Sequence, residues 1–416
     1  MRRKRNSNAA QVLNNSLQTL AMALILVLIA GILHIGSAPY VAFAFAGASV
    51  IHLTARPTKW EIGLVMVLGA GFGAVYFLNH GSAIDYYGRS LGLPGGFLGM
   101  GSLQILASRW IWAPVKRGRF EPLREAALIP ALCVGSMIAV AISASLTPNT
   151  YDRLIYAFDL KFGGPPSWVI GKLFHAHGWL FAACGYVYNS LPLGLAVCLA
   201  IQGSRRKHGS VDVDLRWAAV ALGVAGFLLY QIAPASGPIY LFAKEFPFLV
   251  PDLTGAQIHP AWLQLEPRNA MPSLHVGWTM LLFWNMRYSR WMQTVLGIYM
   301  IMTMLATLGS GEHYLADLIV AAPLALAIQA ACSTMIRGRE QWIAMTIGAV
   351  ITLAWLIAFR TGAALAIPAG AATWTLAALT VAVPVVIAWR LRLRGSSIDG
   401  PVHLRTADPI GLTATL

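Results

Sequence analysis

Long apolar runs separated by short polar stretches recur along nearly the whole chain. A run of about 17–25 apolar residues can cross the hydrocarbon of a bilayer as a helix. Read this way, spans fall at roughly 17–34, 38–54, 61–78, 97–113, 127–146, 178–202, 215–233, 272–286, 291–310, 313–334, 342–359 and 366–390, about twelve crossings. The expected fold is all-α, a polytopic transmembrane helical bundle. Two intervening stretches are too long for simple turns. Residues 147–177 mix aromatic and charged positions with Gly163-Gly164-Pro165-Pro166, which predicts one or two short helices lying in the interface. Residues 234–271 carry Pro234, Pro238, Pro247, Pro251, Pro260 and Pro267, which predicts an irregular cap. Glycines at 69–73 and 95–101 predict close helix approach.

Composition agrees with this pattern. The chain is 57% hydrophobic and 11% charged, against about a quarter charged in soluble domains, so a soluble globular fold is excluded. The net charge of +14 raises nucleic acid as a partner, but its distribution argues for topology. Arg2-Arg3-Lys4-Arg5, Arg56 and Lys59, Lys116 to Arg124, Arg205-Arg206-Lys207, Arg287 and Arg290, Arg337 and Arg339, and Arg390 to Arg394 occupy alternate loops. The opposite loops hold Arg89, Arg153, Lys161, Lys172, Lys244, Arg268 and Arg360. About three quarters of the basic residues thus share one side, which places both termini in the cytoplasm and the basic loops against anionic lipid. The basic start followed by Leu17 to Leu33 reads as an uncleaved first span rather than a signal peptide. Cys133, Cys184, Cys198 and Cys332 all lie within spans and read as small apolar residues. No cofactor motif is visible.

Two histidines stand out against the apolar background. His275, in Arg268-Asn269-Ala270-Met271-Pro272-Ser273-Leu274-His275, and His313, in Gly309-Ser310-Gly311-Glu312-His313-Tyr314-Leu315-Ala316-Asp317, each open an apolar run. One whole run separates them, so both emerge on the outer face. Pro272 suits the first turn of a helix, and Asp317, four residues after His313, would share its helical face. The carboxylate could then fix the imidazole tautomer and leave the other nitrogen as a nucleophile. Set against this are a polar pair that merely joins helices and a metal site, for which two histidines and one aspartate are a poor set.

Pro272-Ser273-Leu274-His275 followed by His313-x-x-x-Asp317 resembles the type-2 phosphatidic acid phosphatase superfamily. The nearest likeness is to the branch containing fungal inositol phosphorylceramide synthase and related bacterial membrane proteins. It covers about residues 150–335, including the outer segment from Asp152 to Phe162. It divides the chain into N-terminal helices of unknown role (1–126), a catalytic helical core (127–335), and C-terminal helices with a basic tail (336–416).

The resemblance implies metal-independent phosphoryl or phosphodiester chemistry on a lipid, without cofactors, at the outer face of a bacterial cytoplasmic membrane. By position, His313 would form a phosphohistidine, Asp317 would support it, and His275 would protonate the leaving group. The chain departs from the phosphatase pattern at two points. The early Lys…Arg-Pro element is missing, and Ala306-Thr307 replaces the Ser-Arg pair expected before the last histidine. Cations on the phosphoryl oxygens must then come from elsewhere. Arg268 and Lys244 are candidates, with Asn269, Ser273 and Ser310 as neutral donors. Glu312 could draw a proton from an acceptor hydroxyl or cap a helix start. Asp152 and Asp159 could order the interfacial segment or contact a headgroup, and His175, His177 and His259 read as surface residues. These departures favour transfer of an inositol phosphate-like headgroup between lipids. A lipid or polyprenyl (pyro)phosphate phosphatase is the alternative. A transporter and a scaffold with a decayed site are more distant readings.

Overall fold

The computed structural model describes residues 39–80, 89–112, 120–206, 211, 213–253, 255, 257–264, 266–286, 289–334 and 338–398. Among the described residues the regular structure is helical, apart from one pair of two-residue antiparallel strands joining Asn149–Thr150 to Ala261–Trp262 and an isolated antiparallel bridge between Val213 and Ser333. The expected span at 17–34 lies outside the described residues. Every other expected span coincides with a helix or a helix pair. The series is α1 (Pro39–Thr54), α2 (Lys59–His80), α3 (Arg89–Trp112) and α4 (Phe120–Leu146). The outer segment supplies α5 (Asp152–Asp159) and α6 (Pro166–Ala176). Then come α7 (Gly178–Asn189), α8 (Leu191–Arg206), α9 (Leu215–Leu229) and the short α10 (Pro238–Phe242) of the cap. The chain closes with α11 (Leu274–Asn285), α12 (Arg290–Gly309), α13 (Leu315–Ala331), α14 (Arg339–Thr361) and α15 (Ala371–Ile398).

Helices α2, α4, α12, α14 and α15 are each long and apolar enough to cross a membrane, and α7 with α8 make a sixth candidate bent by 48°. These are the helices of an integral membrane protein. The single straight span expected at 178–202 is therefore a bent pair of helices. Pro192, in the first turn of α8, has no N–H to continue the ladder of α7. Helices α1, α9 and α13 are apolar but shorter. Large apolar side chains exposed along α2 (Ile62, Met66, Val67) and α14 (Val350, Leu353, Ile357) mark faces suited to lipid.

The glycine-rich stretch of α3 does what its composition predicts. A Cβ on Gly99 would lie 1.8 Å from the Phe45 carbonyl oxygen of α1, so only glycine permits the two backbones to touch. The main core joins α1, α3 and α4 to α8, α9, α11 and α13. A second core lies beneath the outer segment, where Ile155, Tyr156, Phe158 and Trp168 meet Phe246, Met271, Tyr314, Trp355 and Phe359. Most of its aromatic rings pack edge to face or tilted, with Trp168 5.0 Å from both Tyr156 and Phe246, while Trp355 and Phe359 stack. The C-terminal pair is built into this region. The Lys161 ammonium donates to the carbonyls of Leu365 and Ile367, Gly370 N–H donates to Lys161, and the Trp374 indole donates to Phe162.

Candidate active site

The loop between α12 and α13 carries His313, and its path is set by small residues. Gly311 has φ +77° and sits against Phe246 and Ile239; a Cβ on Gly237, at φ +105°, would lie 2.3 Å from the Glu312 carbonyl oxygen. The cap thus rests directly on the histidine loop, and Ile239 N–H donates to Gly311 at 2.9 Å.

His313 is 2% exposed and held from several sides. Its backbone N–H donates to Thr307 at 3.1 Å and its carbonyl accepts from the Ser167 hydroxyl of α6 at 2.8 Å. In the ring, Nδ1 lies 2.9 Å from the Ala270 carbonyl and 3.4 Å from Asp317 Oδ2. A carbonyl can only accept, so Nδ1 carries a proton, and in the neutral ring the lone pair is on Nε2. That nitrogen lies 3.4 Å from Ser273 Oγ.

The local geometry differs from a shared helical face. Helix α13 starts at Leu315, so His313 precedes it. Asp317 is the third helical residue and its Oδ2 accepts the Tyr314 N–H at 2.7 Å in a capping box. The shorter partner of the imidazole is a backbone carbonyl, and the aspartate is the longer one. Pro272 likewise lies two residues ahead of α11 rather than in its first turn, and Ser273 is the N-cap.

Ser273 makes no side-chain cap. Among the described residues, nothing accepts from the backbone N–H groups of Leu274, His275 and Val276. They are orphan donors at the positive end of a helix, the arrangement that binds anions. Ser273 sets this helix start beside the free nitrogen of His313.

His275 has a different setting. Its ring stacks on Tyr188 of α7 with centroids 4.1 Å apart, and Nδ1 is 3.2 Å from the Tyr188 hydroxyl. That hydroxyl donates its one proton to Glu312 Oε2 at 2.7 Å, so it accepts from His275 Nδ1–H. Nε2 is left for proton exchange.

The remaining expected residues divide sharply. Arg268 is fully buried, and its five N–H donors are all taken: Nε by Thr147 O, one amino group by Ser236 Oγ and Glu266 O, the other by Pro148 O and Leu263 O. It fastens the cap and, contrary to expectation, has no donor left for a phosphate. Asp152 and Asp159 are also fully buried and tied to backbone. Asp152 accepts from Ser236 and Gly237, and Asp159 from Leu315 and Ala316 at 2.7 and 3.1 Å. Burial pushes the Asp152 carboxyl up to about 6 and the Asp159 carboxyl up to about 8, against the opposing pull of those N–H bonds. Asp152 thus holds the start of the cap and Asp159 the start of α13.

Lys244 is exposed on a short turn after α10. Asn269 is half-buried, with no side-chain hydrogen bond among the described residues. The Ser310 hydroxyl lies 3.4 Å from the Thr307 carbonyl at the end of α12. Glu312 does not cap α13, since Asp159 and Asp317 do that, and it faces Tyr188.

Sequence reasoning missed Tyr188, Ser167 and the Ala270 carbonyl. A tyrosine inside an apolar run has no pattern that separates it from a packing residue, and a carbonyl leaves no mark in the sequence at all.

Residues 153–331 match the family model of the PAP2 superfamily. The matched stretch runs from α5 to the end of α13 and encloses both histidines, Asp317 and Tyr188. No curated protein and no solved structure matches the chain. The match supports the superfamily, and with it phosphatase- or phosphotransferase-type chemistry on lipid phosphates.

Proposed function

We propose that this protein is a membrane phosphotransferase that moves a phosphate-bearing headgroup, inositol phosphate-like, between lipids through a phosphohistidine at His313. The observation that carries the proposal is the bond of His313 Nδ1 to the Ala270 carbonyl, which directs the lone pair of the neutral ring to Nε2, beside the uncapped start of α11. In the first step Nε2 attacks phosphorus, the bond to the leaving oxygen breaks, and protonated His275 gives that oxygen its proton. In the second step an acceptor hydroxyl attacks phosphorus, its proton passes to His275, and the P–N bond breaks. Ala270 and Asp317 keep the His313 ring oriented and favour the positive charge it acquires. The amides at the start of α11 serve the phosphoryl oxygens in place of the missing cations.

The loop charges support about twelve crossings with both termini cytoplasmic and the site on the periplasmic side of a bacterial inner membrane. Ionisable residues gather at that outer end rather than at mid-membrane depth, which argues against a transporter.

Incubating the purified protein with labelled phospholipids and quenching in alkali tests the proposal. An acid-labile, alkali-stable label on His313 and a new lipid phosphodiester are the expected outcome. Release of free phosphate would assign hydrolysis instead. Full turnover in His313→Ala would sink the mechanism.

A further inference from the structure

The bend between α7 and α8 falls at the residue that supports His275. In a continuous helix the amide of residue 192 would donate to the Tyr188 carbonyl, but Pro192 has no N–H and its ring would crowd that carbonyl. Tyr188 therefore sits in the last turn of α7, one residue from its end. Helix ends leave carbonyls without partners along the chain, and they fray. Such an end is a poor platform for a ring that stacks on His275 and a hydroxyl that bonds Glu312. The last turn of α7 has to be held from outside.

Tyr299, half-buried on α12, reaches it. Its hydroxyl donates to the Val187 carbonyl at 2.8 Å and lies 3.0 Å from the Ser190 hydroxyl, itself 2.8 Å from the same carbonyl. Two protons thus serve three short contacts among these oxygens. The Val187 carbonyl and the Tyr188 N–H belong to one planar peptide unit, which includes the Tyr188 Cα. Fixing that oxygen fixes the plane from which the Tyr188 side chain departs. Helix α12 also leads into the loop of Glu312 and His313, so the same bond keeps Tyr188 in step with its partners. Helix α1 rests on the start of α8: a Cβ on Gly47 would lie 2.8 Å from Ala196 Cβ and 3.6 Å from the Pro192 carbonyl oxygen. We infer that Tyr299, assisted by Ser190, is a positioning residue that holds the end of α7 so that Tyr188 meets His275 and Glu312. Its effect on turnover rests on the phosphotransferase reading; its effect on the placement of Tyr188 does not.

Modification of the full-length protein in detergent by diethyl pyrocarbonate, read histidine by histidine by mass spectrometry, reports the placement without any substrate. His175, His177 and His259 are exposed and serve as internal references. Tyr188→Ala is expected to speed modification of His275 by uncovering its ring. Tyr299→Phe is expected to do the same by about threefold or more, with the references unchanged. Ser190→Ala keeps the Tyr299 bond and is expected to give a smaller rise, and it decides the question where Tyr299→Phe yields no folded protein. Modification of His275 at the wild-type rate in these variants, or a rise shared by all the histidines, overturns the inference.

Turnover of labelled phospholipids is then measured in two backgrounds. Tyr299→Phe is expected to lower kcat by about three- to tenfold in the wild-type background, with KM little changed, and by less than about twofold beside Tyr188→Ala, where no ring is left to place. Equal fold losses in both backgrounds overturn the inference, because the hydroxyl would then act independently of Tyr188. A wild-type protein without turnover defeats the phosphotransferase reading, while the histidine comparison still decides the role of Tyr299.

Discussion

The two histidines of the site are held in opposite ways. His313 is clamped: its N–H, its carbonyl and its Nδ1 are all engaged, and the helix behind it is capped by Asp317 and by Asp159 from a distant segment. His275 is held at its ring by a stack and a hydrogen bond with Tyr188 and by an edge-to-face contact with Trp278 at 6.1 Å. The contrast matches the demands of the two proposed jobs. A nucleophile must present one lone pair along one line, and misplacement is costly. A proton carrier must serve first a leaving oxygen and then an incoming hydroxyl, so a looser mounting on a proton-sharing partner suits it.

The comparison can be broken at its strongest point first. His313→Asn is expected to abolish the phosphoenzyme and reduce turnover by about 10⁴-fold or more, read by label trapping and steady-state rates. His275→Ala is expected to lose about 10²–10⁴-fold with a lipid leaving group. That loss should shrink markedly with a p-nitrophenyl phosphodiester, whose leaving group needs no proton. An equal loss on both substrates would remove His275 from the acid role. Tyr188→Phe keeps the ring stack and deletes the hydroxyl, so a drop of about tenfold in kcat with a shifted pH profile is expected. A drop as large as that of His275→Ala would mean that the mounting is not loose.

The smallest effect concerns the clamp's outer support. The Asp159 carboxyl is raised in the fold to about 8 from a usual value near 4. The folded protein therefore binds a proton that the unfolded chain has released. Its contribution to stability is complete below about pH 4, declines as pH rises toward 8, and is level above that. Asp159→Asn should flatten this part of the Tm-versus-pH curve by a few degrees. An unchanged slope would show that Asp159 titrates normally.

The positions of the helices were legible because a long apolar run has few alternatives: all expected runs but the first, which lies outside the described residues, coincide with helices, of which five, or six with the bent pair, are long and apolar enough to cross a membrane. The break between α7 and α8 was less legible, since Pro192 lies inside a run whose hydropathy hardly changes. His275 and His313 were visible as polar residues in an apolar setting. Their supports were not. Arg268 looked available because a sequence does not show five acceptors, mostly carbonyls, closing around a guanidinium. Asp152 and Asp159 looked open to a headgroup for the same reason: their partners are amide groups brought there by tertiary packing. The His313–Asp317 spacing suggested a helical face, yet the helix begins between the two residues.

The bond from Asp159 to the start of α13 also bears on how the protein is made. Its carboxyl meets the amides of Leu315 and Ala316 across 156 and 157 positions of chain. During synthesis the outer segment is therefore delivered long before the helix that it caps. Until α13 arrives, burying Asp159 would leave its carboxyl without those amides, which costs free energy even in the protonated form. The interfacial segment therefore gains this pair of buried bonds only once α13 is in place. The proposed nucleophile and the cap over it would then be completed in one late event, so that a half-made bundle would sit in the membrane without exposing a working site.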